Sequence, residues 1–201
     1  MAQPILFLQD YERYPTAAPD DTTSNISYLR LASKYQQMGI RNYYWHLTLV
    51  NQSLKGIDPR HPDLDAATIM AIAYECAINP WYYFREIAHV PGQSGSNSRP
   101  LLGNRGNMCL FWCFFNHITN ILIQVRQTGK SISADSLMVY LLYVLCFDTN
   151  INLMTKDSRL RIANIDRLKS IATTLPYYLD FSSKKDANNG IELTVLRRRN
   201  K

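Results

Sequence analysis

Alternation between short apolar runs and helix-forming stretches in the second half of the chain limits its possible folds more than any other feature. The run NILIQV (120–125) has the length and the β-branched content of a strand. Helical spacing follows over 130–145, then a second apolar run, NINLMTK (150–156), and a helical stretch over 158–173. After the polar loop SSKKDANNG (182–190), IELTVL (191–196) alternates as an edge strand does. Strands separated by helices are joined by crossovers, which align them in parallel and cover both faces of the sheet. The expected class is therefore α/β: a helical N-terminal layer followed by an incomplete parallel sheet flanked by helices.

The layer ahead of that sheet reads differently. Pro15, Pro19 and DDTTSN (20–25) mark an irregular opening, and Leu29, Leu31, Ala32, Tyr35, Met38, Tyr44, Leu47 and Val50 then recur at helical spacing. One or two amphipathic helices are expected over 27–55. GIDPRHPDLD (56–65) is a loop in which Asp63 or Asp65 caps a helix through AATIMAIAYECAIN (66–79). Pro80 breaks or restarts that helix, leading into WYYFREIAHV (81–90). PGQSGSNSRP (91–100) has a linker's composition, and NMCLFWCFFNHI (107–118) resumes a helix. The expected domains are a helical region over 1–90, a linker over 91–103, and the first part of a P-loop core over 104–201.

The candidate site lies between the first apolar run and the helix after it. Residues 124–131, QVRQTGKS, match G-x-x-x-x-G-K-[ST] except that Gln124 stands in the first glycine's place. A phosphate loop needs a strand before it, a turn with inward N–H groups, and a helix N-terminus whose partial positive charge meets the phosphates. Gln124, Val125, Arg126, Gln127, Thr128, Gly129, Lys130 and Ser131 would hold the phosphates of ATP. Gly129 allows close backbone approach, Lys130 reaches the β/γ oxygens, and the Ser131 hydroxyl is placed to ligate Mg²⁺. Arg126, inside the loop, would lie beside the γ-phosphate and offset the charge that develops in phosphoryl transfer. The plainer alternative is a surface arginine paired with Asp148 or Asp157.

Other signals are weaker. A net charge of +6 favours polyanionic partners, but Arg197, Arg198, Arg199 and Lys201 supply four of those charges in what reads as a solvated terminal run. Cys109, Cys113 and His117 recur at i, i+4, i+8; among so many aromatic residues the expectation is buried packing rather than zinc. Tyr43, Tyr44, Trp45 and the cluster 81–84 could stack nucleic-acid bases, although helical context favours a core role. The start lacks a basic head and a long apolar run, and Cys76, Cys109, Cys113 and Cys146 form no C-x-x-C pair. Both suggest an intracellular protein.

RQTGKS after an apolar strand resembles the variant phosphate loop of large terminase subunits, the ATPase motors that package DNA into tailed-phage heads. NPWYYFREI (79–87), RGNMCLFWCFFNHITNILIQVRQTGKS (105–131), INLMTKDSRLRIANIDRLKSI (151–171) and NNGIELTVLRRRN (188–200) resemble other segments of that ATPase, so the likeness spans roughly 75–200. It implies that Arg126 is an arginine finger acting in cis and that Lys130 and Ser131 serve phosphate and Mg²⁺. It also implies an adenine contact from the region of Asn104, Arg105 and Asn107. The implied partners are viral double-stranded DNA, a portal protein, a small terminase subunit and further copies in a ring, all in the host-cell cytoplasm. One departure is large: after Ser131 no apolar run ends in Asp-Glu, the pair that holds Mg²⁺ and activates water in such motors. The sequence is thus expected to be the front part of a terminase, a poor ATPase alone. The alternatives are a helicase-like or kinase-like P-loop protein, and a DNA-binding module in which G-K-S is incidental.

Overall fold

The computed structural model describes residues 14–92, 97–125, 129–147, 149–181, 189 and 191–195. The chain divides into two compact units, Met1–Ala88 with Pro100–Lys130, and His89–Arg99 with Ser131–Lys201.

In the first unit, α1 (Ile26–Gln37) buries Tyr28, Leu31 and Ala32, one stripe at i, i+3, i+4. Gly39 ends it with a φ of 75°, while Ile40 N–H donates to the Tyr35 carbonyl at 3.0 Å, the bond pattern of a glycine-terminated helix. No second long helix follows. Trp45–Leu47 and Gln52–Leu54 are single 3₁₀ turns, and between them β2 (Thr48–Leu49) pairs antiparallel with β1 (Ala18–Pro19). The reason lies in burial: residues 45–50 are all buried, so no polar stripe is left for the solvent side of a helix.

Asp65 caps α2 (Ala66–Ile78) by accepting from Thr68 N–H at 2.8 Å. α2 buries Ile72, Glu75, Cys76 and Ile78 and presents Met70 and Tyr74 outward. Its buried Glu75 accepts from Val50 N–H at 2.8 Å, Asn51 N–H at 2.9 Å and the Asn79 carboxamide at 2.8 Å. Asn79 also accepts from Tyr82 N–H, and Pro80 takes the first position of α3 (Pro80–Tyr82), which needs no N–H donor. α3 runs into a π-helical turn, Tyr83–Ile87, closed by Ala88 N–H to the Tyr83 carbonyl at 2.8 Å. Arg85 on that turn is buried, donates to the His46 carbonyl at 2.8 Å and pairs with Glu86 at 2.6 Å and Asp20 at 3.6 Å.

Aromatic rings fill the core of this unit. Trp45 meets Trp81 edge-on at 4.3 Å between centroids, and Phe84 stacks on Phe111 of α4 (Arg105–Phe115) at 3.9 Å. Within the expected linker, Leu101 is buried and its N–H donates to the Ala88 carbonyl at 2.8 Å. The carbonyls of Leu101 and Arg85 both accept from Asn25, and Gly103 N–H donates to Ser27 Oγ at 2.8 Å. Residues 101–103 are therefore part of the fold rather than a spacer.

In the second unit, α5 (Lys130–Tyr140) continues into a π-helical turn, Leu141–Leu145. Leu137, Val139, Tyr140, Leu141, Tyr143 and Val144 are buried there, as are Ile165, Leu168, Ile171 and Ala172 of α6 (Ser158–Ala172). Asp157 caps α6 through Leu160 N–H at 2.8 Å, and Asp135 of α5 pairs with Arg167 of α6.

The expected parallel sheet is not formed among the described residues. The sheets there are two-stranded: β1 with β2, and β3 (His89–Val90) with β4 (Arg99–Pro100). Residues 121–125 and 151–155 have no strand assignment, and 191–195 contribute only an isolated bridge residue at Leu193. Ile121, Ile123, Val125 and Met154 are 76–94% exposed, so these runs lack the apolar cover that turns such a segment into a sheet strand. The protein is a mixed α/β chain in which helices predominate.

Candidate phosphate-binding site

The helix that a phosphate loop requires begins where the sequence places it, at Lys130. Gly129, just before it, has a φ of 79° and open space around the position a Cβ would occupy. The demand for glycine there is a backbone demand, since a left-handed φ is costly for residues that carry a Cβ. Lys130 Nζ donates to the Gln124 carbonyl at 3.1 Å, closing the two described ends of the loop on one another. Lys130 is half-buried, Ser131 is exposed, and Val125 is 76% exposed. Arg126, Gln127 and Thr128 lie outside the described residues.

Asn104 and Asn107 serve α4 directly. Asn104 Oδ1 accepts from Gly106 N–H at 2.9 Å and Asn107 N–H at 3.1 Å, and Asn107 Oδ1 accepts in return from Asn104 N–H at 2.8 Å. This is a reciprocal capping box with asparagine in both places. Asn107 is 3% exposed and its amide donates to the Leu102 carbonyl at 2.8 Å, so both ends of its side chain are engaged. Arg105, between them, is exposed.

The loop has an unforeseen neighbour. A Cβ built on Gly106 would overlap the carboxamide nitrogen of Gln124, so the loop's first residue lies against the first turn of α4. A sequence signal for it existed: glycine is a poor helix former, yet it stands second in an otherwise strong helical stretch.

One other expectation changes. The buried stripe of α4 is Asn107, Met108, Phe111 and Phe115, whereas Cys109 is exposed, Cys113 is half-buried, and His117 is exposed. The large aromatic residues occupy the inward positions, so the cysteine stripe faces out rather than packing inside. Burial pushes the Cys113 thiol up, and the adjacent Cys109 adds to the shift. Among the described residues, no group of three or more His, Cys, Asp or Glu side chains could hold a metal ion. Trp81, Tyr82, Tyr83 and Phe84 are each 2% exposed or less, which removes that cluster from any base-stacking surface.

For Mg²⁺, Ser131 is the one candidate ligand within the described part of the loop. The next carboxylate along α5, Asp135, is buried against Arg167. Burial pushes the Asp135 carboxyl above its ordinary range, and the guanidinium pulls it partly back. That aspartate is engaged in packing α5 on α6 and does not stand in for the absent Asp-Glu pair.

No family model, curated protein or solved structure matches the chain. No helix among the described residues is long and apolar enough to cross a membrane.

Proposed function

We propose that the chain is the ATP-binding front part of a large terminase subunit, the motor that moves viral DNA into a prohead. The observation that carries this reading is R-Q-T-G-K-S (126–131) with its Lys130 at the start of α5 and Gly129 in the left-handed conformation before it. Lys130, whose ammonium has three donors, would keep one on the Gln124 carbonyl and turn the others to the β/γ-phosphate oxygens of ATP, while the N-terminal end of α5 meets the same charge. Ser131 would hold Mg²⁺, which when bound supplies charge neutralisation on those phosphates. Arg126 would act in cis on the γ-phosphate. In the working motor the apolar runs at 121–125 and 151–155 become strands of a parallel sheet, and acidic residues supplied from elsewhere activate water. Viral double-stranded DNA, a portal protein, a small terminase subunit and further copies in a ring are its partners, in the host-cell cytoplasm.

The test is equilibrium binding of a fluorescent ATP analogue with Mg²⁺ to the 201-residue chain and to Lys130→Ala. The variant is expected to bind at least about a hundredfold more weakly, since a charge-assisted phosphate contact is lost in a preformed cradle. Equal affinity would refute the loop assignment. DNA binding that falls with salt and ignores ATP would favour the DNA-module alternative instead.

A further inference from the structure

Gly106 stands second in α4, and glycine is a poorer helix former than alanine. Its φ is not in the left-handed region, so the backbone does not demand glycine here. The chief obstacle to a larger residue is Gln124: a Cβ at 106 would overlap its amide nitrogen and come within 3.1 Å of its carboxamide carbon, and only then meet the Asn104 cap oxygen at 3.2 Å. Gln124 in turn carries the carbonyl that accepts Lys130 Nζ at 3.1 Å. On the other side, the first turn of α4 is fixed by the Asn104–Asn107 capping box, by Asn107 on the Leu102 carbonyl, and by Gly103 on Ser27 at the start of α1. A continuous path of bonds and contacts thus runs from α1 through residues 102–107 to the lysine.

Resting on the nucleotide-site reading above, we infer that Gly106 is a positioning residue for the nucleoside-triphosphate site. Its bare Cα is the seat in which the Gln124 side chain lies, and that seat places the Gln124 carbonyl and with it the Lys130 ammonium. The far end of a glutamine is flexible, so a methyl group at 106 displaces Gln124 before it disturbs the helix. Alanine itself favours the helix. The cost of Gly106→Ala therefore falls on the loop rather than on the fold.

A double-mutant cycle tests this, using the 201-residue chain and a fluorescent ATP analogue with Mg²⁺. Gly106→Ala and Gln124→Ala are each expected to weaken binding about tenfold, and the double variant also about tenfold, because both remove the same seat. All three should keep the wild-type circular dichroism. Gly106→Ala binding as tightly as wild type overturns the inference, and so does a double variant about a hundredfold weaker, the multiplicative result of independent sites. If wild type and Lys130→Ala both fail to bind, the nucleotide reading falls by itself. The seat is then judged by the side-chain amide NMR signals of Gln124, which Gly106→Ala must shift; unshifted signals overturn the seat as well.

Discussion

Acid should destabilise the first unit through one residue, His46, which is fully buried between α1 and α3. Its Nε2 lies 3.0 Å from the Tyr28 carbonyl, so in the neutral ring Nε2 carries the hydrogen. Nδ1 is buried with no hydrogen-bond partner, and the Arg85 guanidinium is bonded to the His46 carbonyl. Protonation would place a second N–H where nothing accepts it, beside an existing positive charge. Burial lowers the imidazole pKa from 6.5 to about 4 against the opposing effect of the Tyr28 carbonyl, and Arg85 adds a lesser downward push. A folded-state value below the unfolded one means that the unfolded chain binds the proton more readily. The stabilisation is therefore complete above about pH 6.5 and is lost as pH falls toward 4. At about 1.4 kcal/mol per pH unit, that window is worth roughly 3 kcal/mol. The assay is urea unfolding at a series of pH values for wild type and for His46→Gln, whose amide can replace the Nε2 donor without titrating. All three tryptophans, Trp45, Trp81 and Trp112, belong to the first unit, so their fluorescence follows that unit. Carboxylates such as Asp21 and Asp65 titrate in both proteins and cancel in the difference. That difference should be flat above pH 7 and shrink by about 3 kcal/mol between pH 6.5 and 4. A difference independent of pH would show that the imidazolium is accommodated and the burial argument is wrong.

Three further outcomes follow from individual contacts. His117 has a φ of 57° at the end of α4, where Ile118 N–H donates to the Cys113 carbonyl at 2.9 Å, so His117→Gly should stabilise the unit by about 0.5–1 kcal/mol in chemical denaturation. Asp65→Ala removes the α2 cap and should lower the denaturation midpoint in the same assay; an unchanged midpoint would mean that solvent replaces the bond. Glu75→Gln turns one acceptor into a donor facing Val50 or Asn51 N–H and should cost about 1–3 kcal/mol, with a smaller loss pointing to a rotated side chain.

What the sequence determined was mostly local. The Asp65 cap, the proline restart at Pro80, the start of α5 at Lys130 and the span of α6 depend on neighbours within a few residues, where side-chain chemistry and spacing act directly. The phosphate-loop string is local in the same way, while the left-handed φ of Gly129 is seen only in the folded chain. Tertiary structure decided the rest, because burial is a property of the whole chain. The stretch 45–50 has helical spacing but is buried on every side, so it folds as turns and a strand. Runs such as 121–125 have strand composition but form no strand among the described residues, because hydrogen bonds between strands exist only where a second strand is present. The face of α4 that points inward was set by which residues best fill the space beside Trp81 and Phe84, and aromatic rings displaced the cysteines. Gly106 and Gln124 lie eighteen positions apart, and only the folded chain brings the bare Cα under the glutamine.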